Sequence, residues 1–433
     1  MNQYFHSVTL DRDKCKGCTN CLRGCPTEAI RVRDGKAAII AERCIDCGEC
    51  IRACPYHAKV ARTDPLSALD RFRYRIALPA PSLYGQFRGL DDTRRVLSGL
   101  MDLGFDDVFE VARGADIVTR ALMRRLREST AQPLISSACP AVMRLIQVRF
   151  PGLLGNIVDL QSPMEVAAQT ARREFCERRG VSADEVGTFF ITPCPAKMTS
   201  IRNPLGMERS HVDGAISIIE LYGPLSARLA HPDKHYDGPM ATLYGVGWAN
   251  SGGESTASGC DDTLAVDGIH NVIRVLEEIE NGKLPELRFF EGLACTGGCV
   301  GGPLVFENAY VAKDRIRRLV ERMPRQTLDP DAESARPGSF DPTLTTPIRE
   351  QRVLELDEDL SAALEKMGRV ESITESLPGL DCGSCGAPSC RALAEDIVQG
   401  KAAEIDCIFR LRDKVARLAR EMKDLAQSDS RKE

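Results

Sequence analysis

Short apolar runs alternate with helical patterns in the central part of the sequence. Buried strands are predicted at Tyr74–Leu78, Pro133–Ser136 and Thr188–Ile191, because each run is short, largely apolar and continues into Pro, Ser or Thr. Helices are predicted at Glu165–Arg179 and Leu264–Asn281, where apolar residues recur at helical spacing. The alternation favours a mixed α/β fold, in which helices cover sheet layers and functional loops lie at the strand ends.

The two ends of the sequence carry other patterns. Ala29–Val32 resembles a short strand, and helical patterns recur at Leu354–Met367 and, with many charges, at Phe409–Asp429. Between Pro324 and Pro347, polar residues and proline replace the apolar periodicity, which is typical of a linker. We therefore predict domains at residues 1–66, 67–325 and 351–433, with a linker at residues 326–350.

The composition is that of a soluble multidomain protein. The chain has 433 residues, 43% of them apolar and 27% charged, which exceeds the usual size of one domain and suffices for a large core. The formal charge is −5 and the charges form no polybasic cluster, so we expect neither nucleic acid nor a membrane as a partner. The N-terminus lacks a signal-peptide pattern and we find no apolar run of membrane-spanning length, so we expect a cytoplasmic protein.

Cysteine is abundant and clustered. The chain has 18 cysteines, with eight in the first predicted domain, six in the second and four in the third. Because a reducing cytoplasm disfavours disulfides, tight clusters of this kind indicate metal ligation. Cys176 and Cys260 lie outside the clusters, and we interpret them as core residues.

The first predicted domain repeats one cysteine pattern. Cys-x2-Cys-x2-Cys-x3-Cys-Pro occurs at Cys15–Pro26 and again at Cys44–Pro55. This is the run of bacterial two-cluster ferredoxins, in which the fourth cysteine of each copy ligates the other 4Fe-4S cluster. Two zinc sites are the alternative, but two complete copies with the terminal proline favour the ferredoxin. The predicted ligand sets are Cys15, Cys18, Cys21 and Cys54 for one cluster, and Cys44, Cys47, Cys50 and Cys25 for the other.

Four cysteines of the central region stand in loops rich in proline or glycine. Cys139 and Cys194 each precede a proline, and Cys295 and Cys299 share a glycine-rich segment. Since each follows a predicted strand or strand-like run, these loops can bring four thiolates together at the edge of a sheet, with Lys197 available to an anionic ligand. Taken singly, each of these cysteines is also compatible with a buried core position.

Three motifs in this region resemble the signatures of FeFe (iron-only) hydrogenases. They are Ser136–Pro140, Thr192–Lys197 and Ala294–Gly302, and shorter signatures of the family are similar to Gly114–Asp116 and Gln161–Pro163. The resemblance covers roughly residues 70–310 and implies the fold of the FeFe-hydrogenase domain that holds the H-cluster.

The resemblance also implies roles for individual residues. Cys139, Cys194, Cys295 and Cys299 would ligate the 4Fe-4S part of the H-cluster. Cys299 would also bridge to a two-iron subcluster carrying CO and cyanide, and Lys197 would donate a hydrogen bond to a cyanide. Cys299 and Lys197 are thus the expected catalytic residues.

The sequence departs from the family at the residues that relay protons. Ala138 occupies the position of a proton-relaying cysteine, and Ile117–Leu122 contains neither of two relay glutamates. Thr192 and Leu293 replace methionines that normally lie near the cluster. Because one positioned acid or base contributes about 10²–10⁴-fold to a rate, we expect slow turnover.

The C-terminal region adds a fourth cysteine pattern. Cys382, Cys385, Cys390 and Cys407 have a spacing that fits one more 4Fe-4S cluster, with zinc as the alternative. The segment resembles the small cluster domain of electron-transport and corrinoid iron-sulfur proteins, and Ala392–Gly400 matches its helix. A hydrogenase core with this domain and with Ala138 is similar to the sensory hydrogenases.

We therefore expect an iron-sulfur redox protein that senses H2, with low activity in H2 oxidation and proton reduction. Its cofactors would be two ferredoxin clusters, one C-terminal cluster and an H-cluster, and its partners H2 and protons, a ferredoxin or signalling protein, and the hydrogenase maturases. A bidirectional hydrogenase with another proton path, through Ser137, Asp116 or water, is one alternative. An electron-transfer or assembly protein with 4Fe-4S clusters only is the other.

Overall fold

A computed structural model describes residues 5–130, 132–331 and 341–429. The strands are β1 (Val8–Leu10), β2 (Ile30–Arg33), β3 (Lys36–Ile39), β4 (Lys59–Ala61), β5 (Tyr74–Pro79), β6 (Asp107–Val108), β7 (Leu134–Ile135), β8 (Val186–Thr192), β9 (Gly214–Ser217), β10 (Thr263–Asp267) and β11 (Phe289–Leu293). The helices are α1 (Asn20–Arg23), α2 (Glu49–Arg52), α3 (Arg94–Asp102), α4 (Val111–Glu128), α5 (Pro140–Arg149), α6 (Pro163–Arg179), α7 (Pro195–Arg202), α8 (Ile218–Ser226), α9 (Leu243–Gly247), α10 (Gly253–Ser258), α11 (Ile269–Glu280), α12 (Ala309–Arg322), α13 (Leu360–Ser376), α14 (Cys390–Val398) and α15 (Ile408–Asp429). None of the described helices is long and apolar enough to cross a membrane.

Two parallel sheets form the centre of the fold. One has the strand order β6-β5-β8-β9 and the other the order β10-β11-β7. Every residue of β8 and β11 is buried, as expected for parallel strands covered on both faces. The mixed α/β fold and the three predicted strands of the central region are therefore confirmed. The short strand predicted near the N-terminus is β2, which pairs with β3 as an antiparallel hairpin.

Residue contacts divide the chain into two compact units. The first unit contains the described residues up to 9, residues 45–48 and the described residues of 61–351. The second contains residues 10–44, 49–60 and the described residues from 352 onwards. Most of the ferredoxin-like cysteine repeat and the whole C-terminal cysteine pattern thus belong to the same unit.

Residues 45–48 belong to the core of the first unit. Asp46 is buried and its carboxylate accepts hydrogen bonds from the backbone N–H groups of Ser7 and Val8 and from the hydroxyl of Thr199, at 3.1, 2.9 and 2.7 Å. Ile45 is also buried, in a hydrophobic cluster with α5 and α11. A loop of the cysteine repeat is therefore built into the α/β unit.

Two predicted helices have different bounds in the structure. The helix predicted at Leu264–Asn281 is wrong for its first residues, because β10 continues to Asp267 in parallel register with β11. Gly268, with φ 84°, ends the strand and α11 follows. The local apolar pattern fits both structures, and the pairing with β11 decides between them.

The helix predicted at Leu354–Met367 begins later and ends later. It is α13, which starts after Asp359, whose carboxylate accepts a hydrogen bond from the N–H of Ala362 at 2.8 Å. An aspartate at this position caps the free N–H groups of the first turn, so the helix begins there. The helix predicted at Phe409–Asp429 is confirmed as α15.

The described part of the predicted linker follows the surface of the first unit. Pro342 accepts a hydrogen bond from the N–H of Gln161 at 2.7 Å, and the N–H of Leu344 donates to Asp159 at 2.8 Å. These residues lack helix and regular sheet, yet their backbone polar groups are paired with the first unit. Such pairing is expected where a segment is packed and not freely extended.

Candidate metal centre

Four cysteines and a lysine line a single cavity of the first unit. Two of the cysteines stand at the N-cap positions of α5 and α7, each followed by proline in the first helical turn. The other two lie in the loop after β11. Helix N-termini carry partial positive charge and stabilise anionic sulfur there. The five residues are Cys139, Cys194, Cys295, Cys299 and Lys197, all of them predicted from the sequence.

Burial makes the thiols of Cys194 and Cys299 hard to ionise unless a cation is bound. Burial, followed by the neighbouring thiols Cys295 and Cys139, raises the pKa of Cys194 to about 12. Burial, followed by the neighbouring thiols Cys194, Cys139 and Cys295, raises the pKa of Cys299 well above its usual range. A group of thiolates so close together needs positive charge among them, which a metal cluster provides. The donor set therefore fits a cubane iron-sulfur cluster.

Glycine allows the backbone to approach closely around Cys299. Gly298 has φ 97°, and a Cβ on it would lie 2.5 Å from the backbone nitrogen of Ser251. A Cβ on Gly302 would collide with the carbonyl oxygen of Pro193, which precedes Cys194. The glycine-rich motif therefore packs two of the cysteine loops against each other.

The rest of the cavity wall is almost entirely apolar. The Nζ of Lys197 donates a hydrogen bond to the carbonyl of Ala138 at 3.1 Å, so these two lining residues are in direct contact. Among the described lining residues, the ionisable groups are the four cysteines and Lys197. The lining also includes Ala80, Val111, Ala115, Pro163, Met164, Phe190, Trp248 and Leu293. This wall offers a substrate little to exchange a proton with.

Two buried glutamates lie behind this wall, and the sequence motifs did not identify them. The hydroxyl of Ser136 donates to the carboxylate of Glu254 at 2.5 Å and accepts from the N–H of Ala138 at 3.2 Å. Glu291 accepts from backbone N–H groups, including that of Ser255 at 2.8 Å. Burial raises the pKa of both carboxyls, and repulsion by Glu291 adds to the effect on Glu254, whose pKa rises to about 8. Their distance apart in the sequence leaves no spacing pattern to detect.

Asp116 and Ser137, which the sequence offers as alternative proton carriers, form hydrogen bonds with residues outside the cavity lining. The carboxylate of Asp116 accepts from the N–H and hydroxyl of Thr242, at 2.9 and 2.5 Å. The hydroxyl of Ser137 donates to the carbonyl of Leu160 at 2.7 Å. Neither side chain is among those that line the cavity.

In the second unit, one predicted ferredoxin ligand set lines a cavity of its own. The N–H groups of Ala37 and Ala58 donate to sulfurs of this set, at 3.5 and 3.3 Å. Backbone donors of this kind stabilise cluster sulfur. The set is Cys15, Cys18, Cys21 and Cys54.

The cysteines of the other predicted ferredoxin set belong to different units, with three in the second unit and one in the first. Cys25 and Cys50 pack against the small core of the second unit, and Cys25 also accepts from the N–H of Ala29 at 3.2 Å. Cys44 follows a short 3-10 helix and is half-buried. Cys47 belongs to the first unit, where it packs against the same hydrophobic cluster as Cys139 and Cys194.

The C-terminal cysteines converge in the second unit. Cys385, Cys390 and Cys407 pack in one small hydrophobic cluster around α14. Burial is the largest cause that raises the pKa of Cys385, and the nearby thiols of Cys382 and Cys407 add to it. The predicted set therefore lies together. Cys176 and Cys260, interpreted as core residues, are half-buried at the edges of hydrophobic clusters.

A cavity lined by four cysteines at the carboxyl ends of parallel strands, in a chain that carries further cysteine-rich segments, defines an iron-sulfur redox protein. Residues 73–263 and 256–303 match the family described as iron only hydrogenase large subunit, C-terminal domain, over more than half of the chain. The chain therefore belongs to the FeFe hydrogenase family, as its motifs predict. Residues 7–55 match a 4Fe-4S dicluster domain, and residues 377–409 match an Fe-S cluster family.

Individual relatives are distant. The chain is 26% identical to iron hydrogenase 1 of Clostridium pasteurianum, over 68% of this chain and 64% of the relative, and so spans less than two thirds of that protein. It is 28% identical to the periplasmic Fe hydrogenase large subunit of Nitratidesulfovibrio vulgaris, over 72% of this chain and 89% of the relative. An apo structure of FeFe-hydrogenase HydA1 from Chlamydomonas reinhardtii has a TM-score of 0.51 at 16% identity, covering 66% of this chain and 98% of that chain. The structural likeness establishes the fold of the hydrogenase domain.

Proposed function

We propose that this protein is a hydrogen sensor of the FeFe-hydrogenase type, which oxidises H2 and reduces protons only slowly. The observation that carries the proposal is the cavity, which keeps the cysteines and Lys197 but has the methyl group of Ala138 in its wall. A centre that keeps its metal ligands but lacks proton-relay residues can bind H2 while converting it only slowly.

The residues that would hold the cofactor are Cys139, Cys194, Cys295 and Cys299, with Cys299 as the bridge to a two-iron unit. When bound, this centre supplies the chemistry that interconverts H2 with protons and electrons. The chain itself contributes an apolar wall that excludes water and the ammonium group of Lys197, which would donate to an anionic ligand.

Slow proton exchange can pass through Ser136, Glu254 and Glu291. The hydroxyl of Ser136 bonds to Glu254, whose pKa is raised towards the ambient pH, where a group can both bind and release protons. Glu291 repels Glu254 electrostatically. The N–H of Gly252 donates a hydrogen bond to Glu291, and Gly252 lines a surface pocket together with Lys313. This geometry also favours the second candidate function, a bidirectional hydrogenase with its own proton path.

Electrons would leave through the ferredoxin and C-terminal clusters to a ferredoxin or a signalling protein, and hydrogenase maturases would deliver the two-iron unit. We place the protein in the cytoplasm, where clusters stay reduced. For three of the cysteine sets the proposal is supported by their convergence into separate groups, and for the set of Cys25, Cys44, Cys47 and Cys50 it is supported by the repeated sequence motif.

Infrared spectroscopy and film voltammetry test the function together. After maturation with a synthetic two-iron cofactor, we expect CO and cyanide bands in the infrared and a catalytic current far below that of a fast hydrogenase. A current comparable to a fast hydrogenase would favour the bidirectional enzyme. Absent bands, in protein with full 4Fe-4S content, would leave electron transfer through 4Fe-4S clusters only.

A further inference from the structure

One residue of the β2–β3 hairpin contacts both a predicted ferredoxin cluster site and the C-terminal cysteine loop. Val32 lines the cavity of Cys15, Cys18, Cys21 and Cys54. Its backbone N–H donates to the carbonyl of Gly386 at 2.8 Å. Gly386 has φ 79°, and a Cβ on it would collide with the carbonyl of Val32. Only glycine therefore allows this close approach, and Gly386 directly follows Cys385.

Buried charges fix the same contact. The guanidinium of Arg31 donates twice to the carboxylate of Asp396 in α14, at 2.7 and 3.1 Å, and both side chains are only 8% exposed. Arg33 donates to the same carboxylate at 3.0 Å and also to the carbonyl of Cys385. A buried pair with bidentate geometry fixes the positions of two elements more firmly than a surface ion pair does.

A second approach lies beside Cys21. Arg23 donates to the carbonyl of Cys382 at 2.9 Å, and Gly383 packs against the side chain of Leu22. The cysteine loop Cys382–Cys385 therefore rests on α1 and β2, the elements that surround the first ferredoxin site. Two positive guanidinium groups lie against the carbonyls of this loop.

We propose that the C-terminal cluster exchanges electrons directly with the cluster at Cys15, Cys18, Cys21 and Cys54, across the contact between Val32 and Gly386. One electron leaves the reduced cube of the ferredoxin module and reduces the C-terminal cube, with no bond broken and no proton transferred. Arg23 and Arg33 stabilise the added negative charge and so raise the reduction potential of the C-terminal cube. This inference rests on the proposed clusters, and it makes the C-terminal cube a fixed terminal acceptor.

Electron paramagnetic resonance of protein reconstituted with 4Fe-4S clusters alone tests the inference. Beyond the coupling between the two ferredoxin cubes, we expect additional magnetic coupling to the reduced C-terminal cube, which disappears in Cys382→Ser and weakens in Asp396→Asn. In Arg33→Gln the potential of the C-terminal cube should fall, while Arg391→Gln, on the exposed side of α14, should leave coupling and potential unchanged.

Magnetic coupling that is the same in wild type and Cys382→Ser, or an unchanged potential in Arg33→Gln, would overturn the inference, as would zinc at the C-terminal site. Arg33→Gln keeps the pair between Arg31 and Asp396, so it remains informative if Asp396→Asn loses the fold. The sample reconstituted with 4Fe-4S clusters alone contains no two-iron unit. The result is therefore independent of the infrared test of the sensor function.

Helix α15 carries a separate feature, an exposed apolar stripe. Its members recur at alternating steps of three and four residues and are 44–70% exposed. This is the a/d pattern of a coiled coil, which needs a partner helix to cover it. The stripe consists of Ile408, Leu411, Val415, Leu418, Met422 and Leu425.

We infer that the stripe binds α15 of a second copy of this chain in antiparallel orientation. In that orientation Val415 packs opposite Leu418 of the partner subunit, and Lys414 faces Glu421 of the partner subunit on the flank of the stripe. The charges are then complementary in both directions. In a parallel pair, the flanking partners of Lys414 and Glu421 would be alanines instead.

Light scattering after size exclusion of the full chain tests the pairing. We expect a dimer that Lys414→Glu weakens at least tenfold and that the double change Lys414→Glu with Glu421→Lys restores. Leu418→Glu should give monomers, and Ala416→Glu, beside the stripe, should not. A monomeric wild type, or a dimer insensitive to Lys414→Glu, would overturn the inference.

Discussion

Ala138 shows how much a single side chain in a cavity wall decides. Its carbonyl accepts a hydrogen bond from Lys197 and its N–H donates one to Ser136, so both backbone groups of this residue are paired, while its methyl group contributes no acid or base. The ligands around it fit a cluster, and under the proposed function the position lacks the acid or base that would deliver protons to it.

Replacing Ala138 by cysteine should speed the reaction. A thiol in the cavity wall restores one acid–base group, which is worth about 10²-fold or more. Hydrogen uptake and film voltammetry of Ala138→Cys measure the gain. Ala138→Ser is the control, since a hydroxyl of similar size is a far weaker acid. Equal rates for wild type and Ala138→Cys would show that protons already reach the centre fast enough.

Glu254 should make stability depend on pH. Burial and repulsion by Glu291 raise its pKa from 4.5 to about 8, so between these values the folded state holds a proton that the unfolded state has released. Stability therefore falls as the pH rises through this window. Denaturation midpoints at pH 6 and 9 should differ less for Glu254→Gln than for wild type. Glu286→Gln, at an exposed position, should retain the wild-type difference.

The cysteines of the cavity lie at the ends of strands and at the starts of helices. The sequence predicts strands β5, β7 and β8 because continuous apolar runs are typical of parallel strands, and Cys139 and Cys194 follow two of these strands. It misplaces the start of α11, because a short apolar run does not distinguish strand from helix without its pairing partner. The start of α13 is misplaced for another reason: the carboxylate of Asp359 caps this helix, which the spacing of apolar residues does not reveal.

The glycine loop after β11 should not tolerate a side chain. In Gly298→Ala the positive φ and the contact with the backbone of Ser251 cost about 1–3 kcal/mol, and the loop that carries Cys299 must shift. Iron content and the denaturation midpoint should both fall. Gly155→Ala is the matched control, because a Cβ there meets open space. Full cluster content in Gly298→Ala would contradict the close packing described here.

The contact between α14 and the hairpin should be strongly stabilising once formed. Removing one partner of a buried ion pair leaves the other uncompensated and costs about 3–5 kcal/mol, so Asp396→Ala should unfold the second unit at lower denaturant. Glu404→Ala breaks an exposed pair with Arg410 and should cost about 1 kcal/mol or less. Equal effects would show that the buried pair contributes little.

At the scale of the whole molecule, the sequence predicts which cysteines belong to one set. It does not predict how the sets are arranged in space. Motif spacing identifies the sets that the structure brings together around Cys194 and around Cys21. It gives no sign that the C-terminal loop rests on the ferredoxin hairpin, because Arg31 and Asp396 are far apart in the chain and share no motif. Long-range charge pairing and the Glu254–Glu291 pair appear only after folding.

Iron analysis tests the number of clusters. Cys382→Ser should lower the iron content of the reconstituted chain by one cube and leave the ferredoxin signals in place. Cys176→Ser, outside every set, should keep the full content. Unchanged iron in Cys382→Ser would contradict a fourth cluster at the C-terminal site.

The buried Asp46 limits how such proteins can recombine. Its bonds to Ser7, Val8 and Thr199 mean that the loop at residues 45–48 completes the core of the unit that holds the hydrogenase cavity. A ferredoxin from another protein, grafted by a cut at residue 66, would bring a foreign loop into that core. Exchange of the ferredoxin therefore requires that this loop, and the residues that receive it, change together.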